Sequence, residues 1–497
     1  MRAEPMSAAP MTSEVDILIV GGGPVGMTGA LLLAKHGLSV VVAEREAGIY
    51  PLPRAAHIDH EAMRIFQTAG VADDVLATTR KAGRYDFLNA AGDVLMRIET
   101  GIGDTSSGWP ASNMIHQPSI EGILNDAVAA SPNAEVRRLW ALVNFTATDE
   151  GVTAHFDTPE GRQEINAKYL LGCDGANSTT RNLANIENDD LDFNESWLVI
   201  DTIVKDRSRL PDCNLQICDP VRPTTCVLMG NGRHRWEFML LPEDTAEHMQ
   251  KPETIETLMA PWKVGGAVEI ERAAVYQFAA ALAKNWRQGR VLLAGDAAHL
   301  MPPFAGQGLC SGLRDVDNLA WKLAMIIQHD ADEVLLDSYQ PEREPHVRAV
   351  IDLAIMMGQM VCVSDPEAAA VRDADLMAQR EQNGDAHGAM TFPPLLTGTI
   401  LEGSAQAGML FPQVGRLDDI MGPGAWLIAK GDLSGGLPIQ YISLDDERLK
   451  AAQDDIEGWL DAHQAEAVLV RGDKYIFGTG EGEQLATAFG HALGLAH

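Results

Sequence analysis

The sequence predicts a mixed α/β fold, α+β over the whole chain: a parallel-sheet domain interrupted by an antiparallel sheet and followed by a third α/β unit. Three observations carry that expectation. A glycine-punctuated strand–turn–helix–strand unit occupies residues 15–44. Short apolar runs of the buried-strand kind recur at 168–172 and 291–294, on either side of a region dense in Pro, Asn and Gly turns. Residues 395–497 again alternate apolar runs with helical stretches.

Taken in order, residues 1–13 are polar, small and Met-rich, lack the apolar stretch of a signal peptide, and read as a flexible tail. Residues 15–20 are apolar and β-branched apart from Asp16, as a buried parallel strand should be. Gly21 to Gly26 form a turn, 27–36 a helix closed by Gly37, and 39–43 a second strand ending at Glu44. The uncharged run 17–34 is long enough to be flagged as a membrane span, but the glycines and Pro24 near its start argue for strand, turn and helix.

Helices follow around 64–69 and 118–130, a hairpin at 84–96 turning on residues 90–93, and strands at 135–139, 141–148 and 152–156. Strands at 197–204, 226–229 and 236–241 suggest an inserted antiparallel sheet over 190–280. From Gly308 a long helix has Leu309, Leu313, Val316, Ala320, Leu323 and Ile327 on one apolar face. Residues 363–394 hold few large aliphatics and read as a linker or lid. In the last unit, strands are expected at 426–428, 439–443 and 467–470, and helices at 447–463 and 481–493.

Composition narrows the function. Thirty-eight basic against seventy acidic residues give a formal net charge of −32, which opposes binding to nucleic acid or to an anionic membrane. Six cysteines without a CxxC pair make neither a disulfide framework nor a zinc cluster, and suit reduced thiols in a cytoplasmic protein with no metal.

Three segments carry chemistry. In Gly21-x-Gly23-Pro24-Val25-Gly26, the first glycine permits the tight turn, the second lets a pyrophosphate approach the backbone, and the third lets the helix pack close. Glu44, 18 residues beyond Gly26, stands where a carboxylate takes ribose hydroxyls. This is a Rossmann-like dinucleotide fingerprint, and it does not separate NAD from FAD. The second segment, Gly295-Asp296-Ala297-Ala298-His299 followed by Pro302-Pro303-Phe304-Ala305-Gly306-Gln307-Gly308-Leu309, puts a carboxylate at a strand end and a helix N-terminus after a stiff loop. That arrangement suits a polyol chain and the anionic edge of a reduced flavin. The third is Asp174-Gly175, followed by Ser178 and Arg181.

In order and spacing the three segments resemble the group A FAD-dependent aromatic hydroxylases, over roughly residues 14–360. The stretches at 53–70, 216–225, 235–242 and 295–324 resemble the 3-(3-hydroxyphenyl)propionate and phenol hydroxylase branch. The resemblance implies an FAD-binding domain at 14–189 and 281–362, a substrate-binding sheet at 190–280, and a thioredoxin-like domain at 395–497. The last holds no cysteine, so thiol–disulfide exchange there is excluded and packing or homodimerisation is its expected role.

The resemblance also implies the site. Gly21, Gly23, Pro24, Val25 and Gly26 would cradle the pyrophosphate, and Glu44 and Arg45 would hold the adenosine ribose. Arg54 would face the flavin, Gln117 the ribityl–phosphate region, and Asp174 and Gly175 both FAD and the nicotinamide donor. Asp296 would bind the ribityl chain, with Pro302, Pro303, Gly306, Gly308 and Leu309 framing the isoalloxazine. Arg54 and Pro302 are thus placed beside the reacting ring. The implied reaction is reduction of FAD by NADH or NADPH, addition of O2 to give a C4a-hydroperoxide, and oxygen transfer to a small phenolic substrate. His57, three residues beyond Arg54, is the expected substrate contact or base; a loop-packing histidine is its rival. Arg235 and Trp236 are expected to wall the pocket. A polycyclic polyketide-derived phenol, a non-hydroxylating flavin oxidoreductase and a non-catalytic flavin protein are the alternatives. The WxWxIP segment of flavin halogenases is missing.

Overall fold

The computed structural model describes residues 13–51 and 54–495; the expected tail at 1–13 lies outside the described residues except for Ser13. Strand Ser13–Val20 is central in its sheet, parallel to Val40–Glu44 on one side and Gly161–Gly172 on the other. Ala134–Arg138 and Val291–Leu293 extend the parallel order outward. Ile17, Ile19 and Val42 face helices, whereas Leu18, Val20 and Val41 pack under the antiparallel strands Ala141–Ala147 and Val152–Thr158. Burial on both faces explains why these strands read as unbroken apolar runs. Helix Pro24–Lys35 packs between Gly308–His329 and Gln117–Ala130.

The second sheet has nine strands and reaches beyond residues 190–280. Its longest strands are the antiparallel pair Asn188–Val204 and Val268–Ala283, continued by Arg233–Met239, Thr224–Leu228 and Asn214–Ile217. The hairpin Arg84–Leu88 and Val94–Glu99 then joins through a parallel pairing with Asn214–Ile217. This pairing closes an edge that would otherwise be open and buries Phe87 and Leu95 completely.

Residues 363–394 are not a plain linker. Asp365 caps a helix Pro366–Asn383, its side chain accepting from the Ala368 N–H at 2.8 Å. The helix lies on the surface with only Ala369 buried, which explains its polar composition, and Arg372 docks it on the carbonyls of Cys218 and Met360.

The long helix Gly308–His329 has no solvent-facing side from Cys310 to Met325. Its apolar face meets the core of the parallel-sheet domain, while Trp321 and Met325 enter a core with Phe477, Leu485 and Phe489 of the C-terminal unit. That unit is a four-stranded sheet ordered Gln440–Ser443, Trp426–Ala429, Ala467–Val470, Ile476–Gly480, with the first pair parallel and the others antiparallel. Helices Gln453–Ala462 and Gly482–Ala492 pack with it.

Between this unit and the helices lies a buried charge cluster. Glu342 accepts from both terminal nitrogens of Arg471 (3.0 and 2.7 Å), from Lys322 at 2.8 Å and from the Thr399 N–H at 2.7 Å. Arg64 spans a second such contact to Asp418, with Nε–Oδ2 at 2.6 Å. Among the described residues no single helix is long and apolar enough to cross a membrane.

Candidate active site

The glycine turn is shaped by close backbone approach. Gly21 has φ +108°, and a Cβ there would collide with the Cys173 carbonyl; one at Gly26 would collide with the Gly21 carbonyl. At Gly23 the space is open, with nothing within 4 Å of where a Cβ would stand. The helix that starts at Pro24 aims its unpaired N–H groups into this opening. Val25 turns the other way and packs against Gly295 and Gly312, joining the first motif to the second.

Glu44 ends its strand with both carboxylate oxygens engaged, accepting the N–H of Gly22 at 2.6 Å and of Glu46 at 2.7 Å. Arg45 is an exposed side chain 3.4 Å from Glu46. Gln117 opens the helix Gln117–Ala130 and pins the neighbouring loop: its Oε1 accepts the Ala55 N–H at 2.8 Å, and its Nε2 donates to Glu121 at 2.6 Å. Arg54, in that loop, is exposed and stacks over the Tyr50 ring at 5.1 Å.

Asp174 spends its carboxylate on its own turn, accepting from Ser178 Oγ at 2.5 Å and from the Thr180 N–H at 2.9 Å. Gly175 supplies the left-handed corner at φ +79°. Arg181 links this turn to the second motif, donating to the carbonyls of Ala176 and Ala297 at 2.9 Å each.

Asp296 is the one carboxylate of the second motif open to the cleft, and no hydrogen bond from a described residue reaches it. Burial of its surroundings pushes its carboxyl up, moderated by His299 and Arg54. The turn that carries it is held by Asp315, which accepts the Gly295 N–H at 3.0 Å, His299 Nε2 at 2.6 Å and Arg343 Nε at 3.0 Å. Pro302 and Pro303 lead into a short helical turn, and Gly306 leaves it at φ +63°. Gly308 and Leu309 then start the long helix.

The Gly306 carbonyl lies 3.1 Å from His57 Nδ1. A carbonyl only accepts, so Nδ1 carries the proton and Nε2 presents a lone pair. Burial lowers the His57 pKa, with Asp59 and the Gly306 bond opposing, so the ring is neutral at pH 7.

The nine-stranded sheet closes the site. Arg235 is buried, donating from Nε to Asp201 at 2.7 Å and from a terminal nitrogen to the Arg54 carbonyl at 3.0 Å. Trp236, expected beside it as a wall residue, points to the opposite face of the strand. There it is fully buried with Leu198, Ile200 and Phe238 and meets Trp262 edge to face. Alternation along a strand sends neighbours to opposite faces, so only one of the two could line the site.

Contacts connect these segments: Glu44 to the glycine turn, Val25 to the turn that carries Asp296, Gln117 to the loop that carries Arg54, and His57 to the 302–309 loop. The structure leaves Arg45 on the surface, Trp236 in a separate core, and Asp174 in a capping role. Sequence reasoning missed the roles of Arg181, Asp315 and Asp201. A signal existed for Asp315 and Arg343: charged residues on helices that must be buried need partners.

The cleft fits FAD. A helix start with room for a pyrophosphate, a carboxylate at the second strand end, an unpartnered carboxylate at Asp296 and a second helix start at Gly308 are the donor and acceptor set a dinucleotide flavin requires.

The comparisons agree. Residues 14–354 match the family model described as FAD binding domain. A "Probable NADH-specific resorcinol 4-hydroxylase" of Rhodococcus jostii (strain RHA1) is 38% identical over 497 residues, covering 93% of this chain and 92% of the relative. The "3-(3-hydroxy-phenyl)propionate/3-hydroxycinnamic acid hydroxylase" of Escherichia coli (strain K12 / DH10B) is 37% identical over 362 residues, covering 72% of this chain and 65% of that protein. In fold, the crystal structure of the flavin-dependent monooxygenase PieE in complex with FAD and substrate aligns with a TM-score of 0.78 at 22% identity, over 98% of this chain and 100% of that one. A cleft built for FAD and relatives that hydroxylate aromatic rings lead to one assignment: the chain belongs to the FAD binding domain family and is an FAD-dependent aromatic monooxygenase of group A.

Proposed function

We propose that this enzyme hydroxylates a small phenol with NADH as electron donor and His57 as the group that takes the phenolic proton. Bound FAD supplies hydride acceptance and oxygen activation. The chain's residues hold that cofactor, exclude water and orient the ring. The observation that carries the reading is His57 itself. Its Nδ1 is fixed by the Gly306 carbonyl, its Nε2 lone pair has no partner among the described residues, and its ring is neutral at pH 7. A phenol is a better carbon nucleophile when its oxygen loses its proton, and a neutral imidazole is suited to accept it. The NADH preference and the small-phenol class follow the similarity to the NADH-specific resorcinol hydroxylase, which spans nearly the whole chain.

The test is oxidation of NADH and NADPH, O2 uptake and product analysis with resorcinol and 3-(3-hydroxyphenyl)propionate. Stoichiometric hydroxylated product with NADH is the expected result. Bound flavin without phenol-stimulated oxidation would overturn the reading.

A further inference from the structure

We infer that Asp201 and Arg272 form a binding site for a neutral hydroxyl group of the substrate, and that this site selects an uncharged polyhydroxybenzene over a phenol bearing a carboxylate. The inference rests on the hydroxylase reading above and deepens it. Asp201 and Arg272 face each other across adjacent antiparallel strands, with Arg235 directly across Asp201 on the other side. The row lies on the sheet face that meets the flavin loop, since Arg235 bonds both to Asp201 and to the Arg54 carbonyl.

Arg235 is satisfied there; Arg272 is not. The residue is 8% exposed and its three guanidinium nitrogens are buried, yet none of them makes a hydrogen bond. Its nearest contacts are Asp201 Oδ2 at 3.3 Å and the Tyr276 ring at 4.9 Å. Asp201 Oδ2 is itself buried without a hydrogen bond. The two are an ion pair in charge, but a buried donor and a buried acceptor that share no hydrogen bond are exceptions to the rule that such groups are satisfied.

The shape of the vacancy in hydrogen bonding names its ligand. A hydroxyl donates one bond and accepts another, so it completes Asp201 and Arg272 together. A carboxylate would satisfy Arg272 but set its charge against Asp201. Charge balance agrees: Arg235 and Arg272 are matched by Asp201 and Glu237, leaving no spare cation in the row for an anionic substrate.

The experiment uses holoenzyme, with resorcinol and 3-(3-hydroxyphenyl)propionate as probes. Kd is read from the substrate-induced change in the flavin spectrum, and KM and kcat from turnover. The wild type should favour resorcinol. Asp201→Asn and Arg272→Gln should each raise its Kd and KM by about tenfold or more, the scale on which an unpaired polar group discriminates. Arg272→Lys keeps the charge against Asp201 but loses the planar fork, so it should fold normally, judged by Tm and flavin content, and still raise the resorcinol KM several-fold. Wild-type Kd values in all three variants would overturn the site, leaving a structural ion pair bridged by water. A wild type that prefers the carboxylated phenol, with that preference lost in Arg272→Gln, would also overturn it. Absence of any phenol-dependent turnover in the wild type would instead defeat the underlying hydroxylase reading.

Discussion

In the proposed mechanism, His57 ties one side chain to the chemistry through a tautomer. Because burial lowers its pKa from 6.5, the ring stays neutral as the pH falls below that value, and its base function is lost only on passing the depressed pKa. The acid limb of the kcat profile for a phenol should therefore lie below pH 6.5, measured on holoenzyme with NADH saturating. His57→Gln should lower kcat by about 10²–10⁴, the usual contribution of a positioned base. Trp236 gives the contrasting case. Trp236→Ala should cost about 3–5 kcal/mol of stability by emptying a core site, whereas Trp236→Phe should leave the KM for the phenol unchanged. Denaturant unfolding and steady-state kinetics on the two variants separate those effects. Neither assignment was fully legible in the sequence. The strand at 236–241 could be read from its residues, but which of Arg235 and Trp236 faced the cofactor depended on what each face would cover. Arg235 is recognisable in retrospect because Asp201 and Glu237 neutralise it.

Most elements of the parallel sheet announce themselves, because a strand buried on both faces must be apolar at every position and a helix must keep its period. Elements stabilised by distant pairing do not. The hairpin expected at 84–96 is present and runs to Glu99, yet its membership of the second sheet comes from a parallel pairing with residues 214–217, which no local pattern encodes. Helix Pro366–Asn383 buries a single alanine, so its composition matches that of a linker. The turns around the cofactor were legible as motifs but not as a connected frame. Arg181 binds the carbonyls of Ala176 and Ala297, so it fixes the turn of the third motif against the turn of the second. Arg181→Met should loosen both and raise the dissociation constant for FAD at least tenfold, since charge-assisted bonds contribute about 1.5–3 kcal/mol each. Fluorescence of released flavin on dilution measures it.

For the molecule as a whole, the governing feature is the buried charge between the C-terminal unit and the helices behind the flavin loop. Glu342 holds two cations and a backbone N–H, and Arg471 and Lys322 keep its carboxyl well below the ordinary 4.5. Unfolding at acid pH lets this group take up a proton, so its stabilisation is complete above about pH 4.5 and is lost as the pH falls further. Arg471→Met should cost about 3–5 kcal/mol by leaving the buried carboxylates of Glu342 and Asp473 one cation short, and Arg471→Met with Asp473→Asn should recover part of that loss. Urea unfolding at pH 7 tests both. Asp317 acts in the opposite sense. Burial raises its pKa from 3.8 to about 7, with Lys474 opposing. The folded state then keeps a proton that the unfolded state releases, and stability declines as the pH rises from about 4 to 7. Asp317→Asn should remove that decline, giving a higher Tm than wild type at pH 8 and the same Tm near pH 3.5.

The Glu342–Arg471 contact also orders events during synthesis. The strands of the flavin domain and the helix after Gly308 leave the ribosome well before residue 471 does. Until then Glu342 has Lys322 as its one cation, and Trp321 lacks the ring of Phe489. The nascent enzyme must carry an unfinished, exposed helix surface for the time needed to translate more than a hundred further residues, roughly 5–20 s at ordinary elongation rates. A ribosome stalled in the 364–394 region would expose that surface to chaperones, and release there would yield a product prone to aggregate rather than a small working flavoprotein.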